Sequence, residues 1–407
     1  MKRKRRPPAT RAPKPGRKVP LLDLAPQHVK LKRQLTRAFH RVLDHGQFIL
    51  GPEVEDFEQE VARMCGVRHA IGCASGSDAL LLALTATGIK PGDEVITSAY
   101  SFYASASCIA RVGARAVFVD ICPGCYNMDP TAVLGRISSR TRAIIVVHLF
   151  GQTAELTPWL GLARERGIRV IEDVAQAFGA TCRNRLAGTV GDIGCLSFFP
   201  TKNLGGLGDG GMLLTQDNAL AEKLRILRVH GMSPKYHHQV PGVNSRLDTL
   251  QAAWLSIKLP HVRSCIAARQ HNASLYQRWL VGDGLADHPA THATCNGAMI
   301  RTAGDKPLSL PAARLSGHTF HQFILRTADP GARDPLRQHL QRAGIGTEVY
   351  YPVPLHLQKS FAPWDYREGE FPNSELAAKS TFALPIYPGL IPGQIRHVVD
   401  AIRAFYR

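Results

Sequence analysis

From Val19 onward, apolar and polar positions follow two alternating periods. Apolar residues recur three and four apart over residues 28–43 and 54–64, the spacing of amphipathic helices. Runs at 70–73, 94–97, 116–119 and 143–147 are apolar but too short for helices, and suit buried strands. Helical spacing returns between them at 78–87, 102–112, 130–137 and 156–166. Another buried strand, Ile168-Arg-Val-Ile-Glu172, ends at Asp173. Strands separated by helices of this length predict an α/β fold, a mainly parallel sheet covered on both faces.

Beyond the sheet, a helix is expected around residues 246–259, with Leu247, Leu250, Ala253, Trp254 and Ile257 on one side. The pattern then loosens. Residues 281–317, rich in Gly, Ala, Pro, His and Thr, read as loops or linkers. A strand at 321–326 and helices at 334–343 and 394–406 predict a smaller C-terminal α+β domain. The expected organisation is a tail at 1–18, a large domain at 19–258 and a small one at 259–407. No internal repeat is visible.

With 407 residues and 44% hydrophobic content, the chain is long enough for a large core. It has no run of about 18 apolar residues, so no membrane-spanning helix is expected. Its nine cysteines are scattered and odd in number, which suits reduced thiols and a cytoplasmic protein. Cys122 and Cys125 form a Cys-Pro-Gly-Cys, read as a turn or as a redox or metal pair. The net charge of +18 resembles a nucleic-acid signal until it is located. Residues 1–18 hold nine cations and no acid, leaving +9 on the other 389 residues. So dense a Pro-rich tail is expected to be a disordered, solvated extension. Contact with nucleic acid or anionic lipid, or a targeting role, is the alternative. Nucleic acid is not the expected partner.

Candidate chemistry centres on Lys202, between the aromatic run Ser197-Phe-Phe-Pro-Thr and the glycine-rich Asn203-Leu-Gly-Gly-Leu-Gly-Asp-Gly-Gly211. A partly unprotonated amine there suits a Schiff base with a carbonyl cofactor; the plain alternative is a surface lysine beside a loop. Gly76 and Ser77 lie in a small-residue turn from strand to helix, where free amides and the helix dipole suit a phosphate. An ordinary N-cap reads the same way. Asp173, at a strand's carboxyl end, is positioned to keep a pyridine nitrogen protonated, or to cap a helix. Ser197 offers a hydroxyl for the phosphate. Phe102 offers a ring to stack on a planar cofactor, or to pack in the core. His237-His238 lacks companion ligands, and no metal is expected.

In this order the features resemble fold-type I pyridoxal-phosphate enzymes. Ile49-Leu-Gly-Pro52, Gly76-Ser-Asp-Ala-Leu80, Glu172-Asp-Val-Ala-Gln-Ala177, Ser197-Phe-Phe-Pro-Thr-Lys202 and Asn244-Ser-Arg-Leu-Asp248 resemble the DegT/DnrJ/EryC1/StrS sugar aminotransferase family. Tyr351-Pro-Val-Pro-Leu-His356 and Leu384-Pro-Ile-Tyr-Pro388 extend the likeness over residues 19–407. The resemblance implies a seven-stranded, mainly parallel sheet and a pyridoxal 5'-phosphate cofactor held by Lys202 as a Schiff base. It implies that Asp173 pairs with the ring nitrogen and Gln176 lies on the ring-hydroxyl side. Gly76, Ser77 and Ser197 would bind the phosphate, and Phe102 would stack on the ring. Asn244 would reach the phosphate site of a second copy in a homodimer.

The implied reaction is amino transfer from L-glutamate to a keto sugar carried on a nucleotide, with Lys202 as the base that moves the proton. The glycine-rich run resembles members acting at carbon 3 more than carbon 4. Tyr350-Tyr351-Pro352 departs from the His-Tyr-Pro of many relatives, and Tyr351 and His356 are candidate sugar contacts. A lysine-less dehydratase type and a non-catalytic regulatory protein are the alternatives; retention of Lys202 and Asp173 favours transamination.

Overall fold

The computed structural model describes residues 18–289, 306–312 and 317–407. The expected basic tail, apart from Lys18, lies outside the described residues. So do residues 290–305 and 313–316 of the expected linker.

Two helices lead in. α1 (Ala25–His45) buries Leu31, Leu35, Ala38 and Val42, one stripe at helical spacing, and stops at Gly46, whose φ of 67° suits a glycine. α2 (Pro52–Cys65) opens with proline at its first turn. Strand and helix then alternate: β1 (His69–Cys73), α3 (Gly76–Ala86), β2 (Glu94–Ser98), α4 (Ala104–Arg111), β3 (Arg115–Val119), α5 (Pro130–Leu134), β4 (Thr141–Val147), α6 (Thr157–Glu165) and β5 (Arg169–Asp173). A small hairpin follows, β6 (Thr181–Cys182) and β7 (Arg185–Leu186), before β8 (Ile193–Ser197), β9 (Gly211–Thr215), α7 (Asn218–Leu227) and α8 (Thr249–Lys258).

The seven-stranded sheet runs β1-β9-β8-β5-β4-β2-β3. The pairs from β3 across to β8 are parallel, and β9 runs antiparallel to both its neighbours. The fold class is the α/β one expected. Its strands are buried on both faces, which is why they read as continuous apolar runs rather than alternating ones. One face packs Ile71, Val95, Ile145 and Leu213 against Leu80 and Leu84 of α3 and Leu224 of α7. Towards β1 and β8, the other face packs Leu196, Met212 and Leu214 with Phe57 of α2 and Leu255 of α8.

The second unit is a three-stranded antiparallel sheet, β10 (Leu308–Ser309), β11 (Phe323–Thr327) and β12 (Thr381–Leu384), in the order β10-β11-β12. Helices α9 (Val262–Gly282), α10 (Arg333–Arg342) and α12 (Pro392–Phe405) share its core, while α11 (Pro372–Ser380) leads into β12. Val19 belongs to this core and bridges to Ile345, so the start of the described chain packs with its end. β10 falls inside the stretch expected to be linker. Two residues are too few to show a period.

In register, Val147, Asp173 and Cys195 lie side by side on β4, β5 and β8. This row sits at the strands' carboxyl ends, the edge at which open α/β sheets take ligands.

Candidate active site

The turn from β1 into α3 is shaped by its smallest residue. Ser75 caps the helix, its Oγ accepting the Asp78 amide at 3.1 Å. That leaves the first-turn amides of Gly76 and Ser77 without helical partners. A Cβ on Gly76 would lie 2.7 Å from the Ser197 Cβ, so this turn presses against the end of β8. Gly211 of β9 passes equally close to the Ser75 carbonyl. Two strand ends and a helix start thus form one cradle. Ser245 secures it from outside, its Oγ donating to Asp78 Oδ2 at 2.8 Å and accepting from the Ala74 amide at 3.1 Å. Asn244, one residue earlier, is exposed on the single chain.

Asp173 is buried at the end of β5, with Oδ1 accepting the Ala175 amide at 3.1 Å. Burial raises its carboxyl above the usual range, opposed by that amide and by the charges of Lys202 and His148. Lys202 is half-buried in the loop joining β8 to β9, its amide donating to the Phe199 carbonyl at 2.9 Å. Desolvation takes its amine down to about 8, and the Asp173 charge resists the fall. Each group therefore lowers the cost of keeping the other charged. Lys202 also lines a cleft of about 300 Å³ with Gln27, Asn203, Cys265 and Arg269. A larger surface cleft of about 730 Å³, at Glu58 and Arg228, contains none of the candidate residues.

Gln176 is held at both ends. Its Oε1 accepts the Phe150 amide and its Nε2 donates to the Tyr351 hydroxyl, each at 2.8 Å. Tyr351 in turn sits 6.1 Å, centroid to centroid, from Phe102. The helix expected from residue 102 begins at Ala104, which leaves Phe102 on the preceding loop and 54% exposed. An exposed ring is available to a ligand in a way that a core ring is not. Tyr100 braces this side, its hydroxyl 2.9 Å from Thr381 Oγ1 and accepting the Tyr351 amide at 3.0 Å.

Next to Asp173 the structure shows a pair that pattern reading missed. Glu172 is buried and takes four bonds, from His148 Nε2 at 2.8 Å and the amides of Gly188, Val190 and Gly191 at 2.8, 2.7 and 2.6 Å. Burial alone would raise its carboxyl, but His148 and the amides bring it below the usual range. The Ala154 amide donates to His148 Nδ1 at 2.9 Å, so the ring proton sits on Nε2, facing Glu172. This network fixes the segment from which Asp173 projects. The only sequence hint was an acidic residue inside an otherwise apolar strand. Ser245 carried no hint beyond its place after Asn244.

His356 is packed away from solvent, with Nε2 3.1 Å from Glu375 Oε1 and its ring 4.7 Å from that of Phe371. The expectation of reduced cysteines needs correcting at Cys122, which is disulfide-bonded. Cys65, Cys73, Cys108 and Cys195 are buried free thiols. Among the described residues, no cluster of three or more His, Cys, Asp or Glu is arranged to hold a metal, and no helix is long and apolar enough to cross a membrane.

The donor set suits pyridoxal phosphate. An amine shifted to about 8 faces a buried carboxylate, and a helix start, kept open by a glycine that admits no Cβ, lies against a serine. Residues 29–403 match the DegT/DnrJ/EryC1/StrS aminotransferase family. A pleiotropic regulatory protein of Geobacillus stearothermophilus is 44% identical over 96% of this chain and 99% of its own length. UDP-N-acetyl-3-dehydro-alpha-D-glucosamine 3-aminotransferase of Acidithiobacillus ferrooxidans is 41% identical over 95% of this chain and 97% of its own. Among solved structures, DesV of S. venezuelae in complex with a ketimine intermediate superposes with a TM-score of 0.86 at 40% identity, covering 95% of this chain and 98% of that one. With the cradle, the carboxylate and the lysine each in position, this chain belongs to the DegT/DnrJ/EryC1/StrS aminotransferase family.

Proposed function

We propose that the protein is a pyridoxal-phosphate-dependent aminotransferase that moves an amino group from L-glutamate to the carbon-3 ketone of a nucleotide-linked sugar. The observation that carries this is Lys202, its amine brought to about 8 with the buried Asp173 charge acting on it, five residues beyond the Ser197 that abuts the Gly76 helix start. An amine of that pKa is neutral in about one molecule in ten at pH 7, enough to act as nucleophile and base. The 41% identical relative is named for amination at carbon 3, which supports the same carbon here.

Pyridoxal phosphate, when bound, supplies the carbonyl that carries the amino group and a ring that spreads carbanion charge. Gly76 and Ser77 bind its phosphate through amide N–H groups, and Ser197 adds a hydroxyl. Asp173 holds a proton at the ring nitrogen by keeping its own negative charge beside it. Lys202 takes the proton from the α-carbon of the donor and returns it at the acceptor. Phe102 covers the ring face, and Gln176, fixed by Phe150 and Tyr351, stands on the ring-hydroxyl side. Tyr351, bonded to Gln176 and close to Phe102, contacts the sugar. Asn244, exposed on one chain, reaches the phosphate of a second copy, so the working unit is a homodimer. The buried free thiols Cys65, Cys73, Cys108 and Cys195 suit a cytoplasmic setting, whereas the bonded Cys122 does not add to that support.

The 44% identical relative, named as regulatory, favours a second reading in which the fold serves regulation. Retention of Lys202 and Asp173 in a coupled pair argues for catalysis. The test is a single-turnover assay. Loaded enzyme given L-glutamate should release one equivalent of 2-oxoglutarate per site, and the resulting form should aminate a 3-keto sugar nucleotide. Failure to release the oxo acid would favour the regulatory reading.

A further inference from the structure

Lys258, near the end of α8, is only 2% exposed, and its ammonium donates to the Gly205 carbonyl at 2.6 Å. Among the described residues its bond is to a carbonyl rather than a carboxylate. A charge buried on so weak a partner is costly to keep and calls for a reason. Its partner supplies one, because Gly205 lies three residues beyond Lys202 in the same loop.

That loop folds back on itself. The Lys202 amide bonds to the Phe199 carbonyl at 2.9 Å, and the Gly206 amide to the Phe198 carbonyl at 2.7 Å. A Cβ on Gly205 would fall 2.2 Å from the Pro200 carbonyl oxygen, so the turn is tight enough to require glycine. One face of α8 then secures it twice. Gln251 Oε1 accepts the Leu207 amide at 2.8 Å, and Lys258, two turns further on, takes the Gly205 carbonyl.

We propose that Lys258 is a positioning residue for Lys202, holding the loop between β8 and β9 in the turn that keeps the Lys202 amine opposite Asp173. The inference rests on the reading of Lys202 as the cofactor lysine. The long stem of Lys258 reaches a carbonyl that an apolar residue would leave buried and unpaired. The titratable groups facing Lys258 from neighbouring elements are His28 of α1 and Cys265 of α9. Neither is a carboxylate that would draw the ammonium away from Gly205.

The test compares full-length Lys258→Met and Lys258→Arg with wild type. In cofactor-free protein, acylation of Lys202 is followed against pH by peptide mass spectrometry. Wild type should show a midpoint near 8. Lys258→Met should move it upward, towards an ordinary lysine, as the loop admits water and the amine leaves its desolvated position. In loaded enzyme the same variant should weaken the visible circular dichroism of the cofactor and lower kcat about tenfold or more, with KM for glutamate little changed. Lys258→Arg, which restores a donor, should recover both signals. If Lys258→Met does not fold, Lys258→Gln takes its place. An unchanged acylation midpoint and dichroism in a variant that merely melts earlier would overturn the proposal. A wild-type protein with no Lys202-dependent visible band would instead remove the reading beneath it.

Discussion

Asp173 and Glu172 are adjacent carboxylates driven in opposite directions by their surroundings. Burial raises Asp173, whereas one imidazole and three amides hold Glu172 below the usual range despite its burial. Because the folded value of Glu172 is depressed, its contribution to stability is present above the usual carboxylate range. That contribution is lost as pH falls through the folded value. Glu172→Gln should therefore destabilise by about 3 kcal/mol at pH 7, since it strips a buried network of its charge. In urea unfolding the gap to wild type should narrow as pH is lowered; a gap independent of pH would contradict this. Asp173→Asn is expected to fold and still take up cofactor but to lose about 10²-fold or more in kcat, read by stopped-flow amination. Asp173 was legible from its place at a strand end, and Lys202 from its glycine-rich neighbour. The Glu172–His148 pair was not, because its partners come from different strands and meet only once the register is set.

At the level of elements, the strands buried on both faces were readable as apolar runs and the amphipathic helices as stripes. β8 and β9 went unread because the aromatic and glycine-rich loop between them blurs the ends of both. β12 went unread because a four-residue strand directly follows a helix. The start of α3 carries its own prediction. Alanine favours helices over glycine by about 1 kcal/mol, yet Gly76→Ala should weaken binding of pyridoxal phosphate tenfold or more, measured by fluorescence titration. The new methyl meets the Cβ of Ser197, so Ser197→Ala, which removes only the hydroxyl, should not rescue it. Undiminished binding in Gly76→Ala would mean that the phosphate sits elsewhere.

Across the whole molecule, large apolar side chains stay exposed around the site edge and the lead-in helices, among them Phe39, Leu43, Phe48, Ile49, Phe199 and Leu207. Such side chains are available to be covered by a second copy of the chain. A homodimer with shared sites predicts complementation. Lys202→Ala and Asn244→Ala, each inactive, should recover activity after being unfolded and refolded together, because a mixed dimer has one intact site. Sedimentation should give twice the chain mass of 44.5 kDa. Recovery absent from verified mixed dimers would place Asn244 outside the partner's site.

The covalent bond proposed between Lys202 and the cofactor can be trapped chemically. Reduction of the loaded protein with borohydride, followed by proteolysis and mass spectrometry, tests this most directly. A reduced pyridoxyl-phosphate adduct is expected on the peptide containing Lys202, lost when L-glutamate is added before the reductant. An adduct on another lysine, or none on protein that retains the cofactor, would contradict it.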